Sequence, residues 1–386
     1  MANSKINNRT LLFDANPLIL KKTGIGYFVE NILTSMAKNK AADLKITGHY
    51  FNFLGKKSSD HLPGVPQIKY RASRLVPTKM LGLLRRAGIQ LPFELFARKK
   101  ADVTFFTNYV SMPTIFKTIN VLFVYDLSFI DCPQFVSKKN GAYLKKWVPI
   151  SIKRADKIVT ISNFAKQRII ELFSVDPEKI YITPIPPTPH SQVNPVALEN
   201  FGINKDYILF VGTLEPRKNI ITLLEAYEKL PANLQQNVQL VLAGGSGWND
   251  QEIIAKLDEL KSAGKQIVAT GYIDDSEKAV LYKNAKFCIQ PSHYEGFGMP
   301  ILEAMSYGKA VLCSDIEVFR EIAGSSAEYF KVDSSSSLSN AISDFLNNPE
   351  KLNIYSELSA KLVQNYPSWD KVASDLYSFV SVTRKH

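Results

Sequence analysis

The feature that most constrains this chain is an alternation of short, almost wholly apolar runs with longer helical patterns. It occurs in two series, with a proline-rich break between them. The first series contains "RTLLFDA" (9–15), "LKITGHYF" (44–51), "ADVTFF" (101–106), "NVLFVYD" (120–126) and "KIVTIS" (157–162). The second contains "YILFVG" (207–212), "VQLVLAGG" (238–245), "QIVATG" (266–271), "KFCIQPS" (286–292) and "KAVLCSD" (309–315). Between these runs lie helical patterns such as "YFVENILTSMAKN" (27–39), "NFAKQRIIELF" (163–173) and "NIITLLEAYEKLP" (219–231). Strands apolar on both faces and alternating with helices imply parallel sheets covered on each side. The segment "ITPIPPTPHSQVNP" (182–195) cannot be helix, because Pro184, Pro186 and Pro187 remove backbone donors and clash with a preceding turn. The expected architecture is therefore α/β, with two doubly wound Rossmann-like domains facing across a cleft. The first spans 1–190 and the second 196–365, and ligands sit at the carboxyl ends of strands. At roughly 100–200 residues per domain, 386 residues suffice for both.

Composition excludes several alternatives. With 45% hydrophobic and 22% charged residues, the chain has what it needs to bury cores, so large-scale disorder is not expected. Cys132, Cys288 and Cys313 are too far apart for a disulfide framework or a zinc site, which suits a reducing cytoplasm. The start, "MANSKINNRTLLFDANPLIL", lacks the apolar core of a signal peptide, and no run of about 18 apolar residues occurs. Charge is uneven: residues 1–195 carry 29 Lys+Arg against 12 Asp+Glu, whereas residues 196–386 carry 18 against 24. The first half thus faces something anionic or simply has a basic solvated surface. Basic residues interleave with Leu, Ile, Phe and Trp in 69–100 and 138–157, as in a segment that lies on a membrane. No nucleic-acid-binding motif accompanies them, so no nucleic-acid partner is expected.

Several loops after strands carry candidate chemistry. In "HYEGFGMPILEAMSYGKAV" (293–311), Pro300 suits a first helical turn, and Ile301, Leu302 and Met305 give an apolar face. Glu295 then precedes the helix and Glu303 lies about one turn inside it, on either side of an N-terminus suited to an anion. The alternative is a loop followed by a solvated helix. In "TLEPRKNI", Arg217 and Lys218 follow a strand and precede a helix that Asn219 would cap. A bidentate fork beside a compact charge suits a diphosphate, unless both are surface charge. "KKTGIGYFVENI" offers Gly24 and Gly26 for close backbone approach, but it lacks the third glycine of the dinucleotide fingerprint. Asp126 faces the cleft or caps a turn, and Ser162 sits at a strand end with Asn163 as the N-cap of the next helix. His293 reads as a structural histidine or, through its proximity to Glu295, a general base. No Asp-x-Asp triplet occurs, and no metal site is expected.

Taken in order, "GIGYF", "VYDLSF", "TISNFAK", "FVGTLEPRKN", "GYIDD" and "HYEGFGMPILEAMSYGKAV" resemble glycosyltransferase family 4, the retaining enzymes of GT-B fold. The wording of "GTLEPRKN" and "DLSF" is most similar to bacterial mannosyltransferases of O-antigen and polymannose synthesis. The resemblance implies a hexosyltransferase with GDP-mannose as donor, or a UDP- or dTDP-sugar on the same fold. The acceptor it implies is a saccharide on a polyprenyl diphosphate, handled by a cytoplasmic enzyme resting on the anionic inner leaflet, with no cofactor and no divalent ion. Glu295 would contact the transferred sugar and Glu303 the ribose, while Arg217 and Lys218 would neutralise the diphosphate. Gly26, Gly212, Thr213, Gly296, Phe297, Gly298 and Met299 would approach the donor, and Tyr272 and Ile273 would touch the base. Tyr125 stands where relatives usually carry a histidine that reaches the donor sugar. Beside Asp126 it offers a hydroxyl but no positive charge near neutral pH. A non-catalytic, nucleotide-binding relative is the reading from another class. The last helix, within 366–386, would return to the first domain.

Overall fold

The computed structural model describes residues 9–19, 24–39, 44–55, 62–74, 77–187 and 198–381. The chain divides into two compact units, one of Met1–Asp131, Lys138–Ile185 and Pro367–His386, the other of Cys132–Ser137 and Pro186–Tyr366. The expected first domain, 1–190, includes 132–137 and 186–187, but both stretches group with the second unit. For 132–137 a tertiary contact accompanies the grouping: Phe135 stacks on His293, with ring centroids 4.7 Å apart. Residues 188–195 of the proline-rich segment lie outside the described residues.

The first unit is built on a parallel sheet of β1 (Arg9–Asp14), β2 (Leu44–Phe51), β3 (Ile68–Ser73), β4 (Val103–Phe106), β5 (Ile119–Phe123), β6 (Lys157–Thr160) and β7 (Ile180–Ile182). Their order is β3-β2-β1-β4-β5-β6-β7, with Leu11 of β1 opposite Ile46 of β2 and Val103 of β4. The second sheet holds β8 (Asp206–Val211), β9 (Val238–Ala243), β10 (Ile267–Gly271), β11 (Cys288–Gln290), β12 (Val311–Ser314) and β13 (Glu328–Phe330), in the order β10-β9-β8-β11-β12-β13. All ten expected strands are present: β2 has the expected bounds, β5 and β8 start one residue earlier and end sooner, and the others are shorter by a residue or more. The strands β3, β7 and β13 went unread. β3 hides in the basic stretch 69–100, while β7 and β13 are three residues long and too short for a period to register.

Burial explains the apolar runs. Ile208, Phe210, Leu240, Leu242, Ile289 and Leu312 pack against Leu223, Leu224 and Tyr227 of the Ile220–Glu228 helix. Burying each Leu, Ile or Phe is worth roughly 1.5–3 kcal/mol, so the central strands anchor this unit. In the first unit the Trp369–Ser381 helix lays Val372, Leu376 and Val380 inward, and Trp369 meets Phe28 of the Gly24–Asn39 helix with centroids 6.0 Å apart. In each sheet the strand order reverses direction at one seam, β1/β4 and β8/β11. Loops leaving the two strands of such a seam diverge and open a crevice at their carboxyl ends.

Candidate functional site

At the β8/β11 seam, the loop after β8 makes a 3-10 turn, Pro216–Lys218, and the loop after β11 leads into the Met299–Ser306 helix. The turn forms because Pro216 presets its φ and Asn219 ends it in the left-handed region, φ 54°. Asn219 does not cap the next helix as expected. Its Oδ1 accepts from the Thr222 hydroxyl at 2.7 Å instead. The turn is held from behind by the stretch after β9. Leu214 N donates to Gly245 O, and Gly247 N donates to Leu214 O, both at 3.0 Å. A Cβ on Gly244 would lie 2.0 Å from Gly212 O, so only glycine lets the two loops close together.

The turn delivers two cations to one carboxylate. Arg217 Nη1 lies 2.7 Å from Glu295 Oε2, and Lys218 Nζ pairs with Glu295 Oε1. Glu215 takes the other side of the guanidinium, accepting from Nε at 3.0 Å and Nη2 at 2.6 Å. Arg217 Nη1 also donates to Tyr294 O at 3.0 Å, and Arg217 O accepts from His293 N at 2.9 Å, so the two loops are laced through backbone as well. Glu295 is 7% exposed. Burial alone would push its carboxyl up, but Arg217 and Lys218 outweigh it and hold the pKa down to about 2. A third donor, the Ser292 hydroxyl, reaches Oε1 at 2.9 Å.

Glu303 stands one turn inside the Met299–Ser306 helix, with Pro300 in its first turn and Gly298 ahead of it at φ 109°. A Cβ on Gly298 would meet Phe319 at 2.8 Å, a second reason for glycine there. Glu303 is not a bare carboxylate: Lys278 Nζ lies 2.9 Å from Oε1, and the Tyr282 hydroxyl donates to Oε2 at 3.0 Å. Lys278 and Tyr282 are four residues apart on the Asp275–Asn284 helix and so share a face. Burial would lower the Lys278 ammonium, but Glu303 and Asp275 prevail and raise it above its usual range. That helix starts directly after Tyr272 and Ile273, fixed by a capping box in which Asp274 and Glu277 exchange bonds of 2.8 Å. Tyr272 is 57% exposed.

The structure thus brings Arg217, Lys218 and Glu295 into direct contact, with Gly296, Phe297 and Gly298 buried beside them and Gly212 and Thr213 on the neighbouring loop. Glu215, Ser292, Lys278 and Tyr282 were missed. Glu215 stood within a motif that was read for Arg217 and Lys218, and nothing local marked Ser292, Lys278 or Tyr282. His293 is held by Asp333, Nδ1 to Oδ1 at 3.0 Å, and by the Phe135 stack. Burial lowers its pKa despite Asp333.

Gly26, Tyr125 and Asp126 belong to the first unit. Gly26 is buried in the Gly24–Asn39 helix. The Tyr125 hydroxyl donates to Thr107 O at 2.7 Å, and its ring packs edge-on against Phe28 and Tyr109. Burial raises its pKa well above the usual tyrosine range. Asp126 accepts from Ser128 N at 2.9 Å and from the Tyr109 hydroxyl at 3.0 Å, so it both closes a turn and fixes Tyr109. Ser162, not Asn163, caps the Asn163–Phe173 helix, accepting from Ala165 N at 3.1 Å. At the β1/β4 seam lies a cavity of about 550 Å³. Asp14, Asn16, Asn108 and Tyr109 line it on one side, and Leu81, Leu84, Arg85 and Ile89 on another. Its surroundings push the Asp14 carboxyl up, although Asn16 donates to it.

Among the described residues, no group of three His, Cys, Asp or Glu side chains is arranged to hold a metal ion, and no helix is long and apolar enough to cross a membrane.

The Glu295 pairing has a pH signature. A depressed carboxyl contributes stability that is fully present above its unfolded value near 4.5 and is lost as pH falls through about 2, in all about 3 kcal/mol. Glu295→Gln is expected to melt well below the wild type at pH 7, with the gap closing progressively below pH 4.5. Scanning calorimetry across that range checks it, and a gap independent of pH would contradict it.

Comparison with known proteins bears on family and fold. The profile of "Glycosyl transferases group 1" matches residues 198–362, which include both loops of the β8/β11 seam. The chain is 30% identical over 331 residues to O-antigen chain mannosyltransferase B of Escherichia coli, covering 81% of this chain and 84% of that one. Among solved structures it is similar to sucrose-phosphate synthase of Thermosynechococcus elongatus, with TM-score 0.73 and 18% identity over 96% of this chain and 98% of that one. It is also similar to HepE of Anabaena in complex with UDP and glucose, with TM-score 0.71 and 14% identity over 97% and 100%. At such identities the structures share the fold.

Proposed function

The chain belongs to the group 1 glycosyl transferases, and from that premise we propose that it is a retaining mannosyltransferase that takes GDP-mannose and extends a lipid-linked saccharide during surface-polysaccharide synthesis. Its two parallel α/β units have the GT-B fold, and it is a hexosyltransferase. The observation that carries the finer reading is the convergence of Arg217, Lys218 and Glu295 at the β8/β11 seam. Two cations beside the N-terminus of the Met299–Ser306 helix suit a diphosphate, and a carboxylate held in place suits sugar hydroxyls. Phe297, Gly298 and Met299 would line the sugar and diphosphate, with Gly212 and Thr213 approaching the phosphates. Glu303 would accept from the ribose hydroxyls, aimed by Lys278 and Tyr282. Tyr272 and Ile273 would meet the base.

In the reaction the bond from the anomeric carbon to the phosphate oxygen breaks, and one to the acceptor oxygen forms on the same face. The acceptor proton passes to the departing phosphate. Arg217 and Lys218 stabilise the charge that builds there, so the reaction calls for positioning and electrostatics and for no covalent nucleophile. Because they supply the positive charge that a metal would otherwise bring, no divalent ion is required in this reading, and no other cofactor.

The cavity at the β1/β4 seam, with hydroxyl-binding side chains on one wall and Leu81, Leu84 and Ile89 on another, suits the acceptor's saccharide and its polyprenyl-diphosphate link. Around it Met80, Leu83 and Ile89 are exposed among basic residues, as expected of a surface that rests on the inner leaflet from the cytoplasm. Sedimentation with anionic vesicles is then expected to fall steeply with added salt, whereas binding unchanged by ionic strength would remove the electrostatic part.

A donor with a different base is the alternative, favoured by the UDP bound to HepE. A nucleotide-binding relative without turnover is favoured by Tyr125, whose hydroxyl is tied to Thr107 O. Titration of GDP, UDP and dTDP in EDTA, with Glu303→Ala alongside, separates these. The expected outcome is binding of GDP alone, weakened at least tenfold in the variant. Preference for UDP or dTDP would overturn the mannose assignment. Binding of none at millimolar concentration would overturn the nucleotide-sugar reading.

A further inference from the structure

Glu295 meets three donors, of which two are cations that the reading above also assigns to the diphosphate. The carboxylate and an incoming phosphate therefore compete for the same N–H groups. Arg217 and Lys218 are charge-balanced by Glu215 and Glu295 before any ligand arrives, so a diphosphate binds by exchange, drawing cations toward itself. That would leave a buried carboxylate short of partners, a strongly unfavourable arrangement unless another donor remains.

Ser292 is that donor. It is fully buried and its hydroxyl lies 2.9 Å from Glu295 Oε1. Gln290, 2% exposed at the end of β11, donates from Nε2 to Ser292 Oγ at 3.1 Å. This bond occupies an Oγ lone pair and leaves the hydroxyl hydrogen directed at the carboxylate. Both residues are neutral, so a phosphate has no charge with which to draw them off. Both sit at the carboxyl end of a central strand, flanked by β8 and β12, which keeps the relay on a rigid base.

We propose that Ser292, oriented by Gln290, is the positioning residue that keeps the Glu295 carboxylate aimed at the donor sugar while Arg217 and Lys218 transfer their charge to the diphosphate. The proposal rests on the reading that puts the diphosphate at those two cations. Ser292 touches no reacting atom and acts through Glu295 alone.

A double-mutant cycle tests this in the full-length protein, using whichever of GDP, UDP and dTDP binds the wild type, and the corresponding sugar nucleotide for transfer. Ser292→Ala is expected to lower kcat ten- to a hundredfold, with nucleoside-diphosphate Kd within about twofold of wild type. Ser292→Thr, which keeps the hydroxyl, is expected to restore most of the rate. In a Glu295→Gln background the further loss from Ser292→Ala is expected to be less than about twofold. The proposal is overturned if the two losses multiply in full, if Kd weakens in step with kcat, or if Thr fails to rescue while the variant melts like wild type. Failure of the underlying reading looks different, since then no nucleoside diphosphate binds the wild type at all.

Discussion

A single buried carboxylate facing two cations governs the second unit's seam. Glu295 draws Arg217 and Lys218 from the loop after β8 to the loop after β11, and in doing so fixes the spacing of two strands' ends. Separately, each charge would be costly to bury. Together, with Glu215 and Ser292 completing the set, they offset one another's desolvation and form a preorganised polar crevice. The backbone bonds that lace the same loops, Arg217 O to His293 N and Leu214 to Gly245 and Gly247, make the arrangement a property of the fold rather than of flexible side chains.

Such a site is poised for exchange. Its positive groups already carry partners, so a ligand must offer a better one, and a diphosphate with two or more charges does so where a neutral sugar does not. In the proposed reading, discrimination would come from the geometry of the helix that begins at Met299 and from Glu303, which Lys278 and Tyr282 hold one turn along.

Much of this was legible in the sequence, for reasons that can be named. Central strands buried on both faces must be apolar throughout, so β8 and β9 stand out from their neighbours. Gly298 and Pro300 mark a helix start by backbone chemistry alone, and Glu295, Arg217 and Lys218 lie in loops after strands, where a doubly wound sheet gathers its ligand-facing groups. What stayed hidden depends on tertiary contacts. Phe135 joins the second unit through a stack on His293, which no local pattern announces. Ser162 and Asn163 are equally good caps by composition, and the backbone chose Ser162. Tyr125 looked like a site residue by its place in a motif, yet its hydroxyl is spent on Thr107 O within an aromatic cluster. Ser292 carries no signal beyond being a small polar residue, and its importance appears only once Glu295 Oε1 is located.

The account depends on Glu295 and the diphosphate sharing the same two cations. Calorimetric titration of GDP into Glu295→Gln, compared with wild type in EDTA, tests that sharing most directly. Neutralising the competitor is expected to leave GDP binding at least as tight as in wild type, and to tighten it severalfold if the exchange is the main cost, while sugar transfer collapses. Loss of GDP binding together with transfer would mean that Glu295 supports the nucleotide rather than competing for its cations, and the central claim would fall.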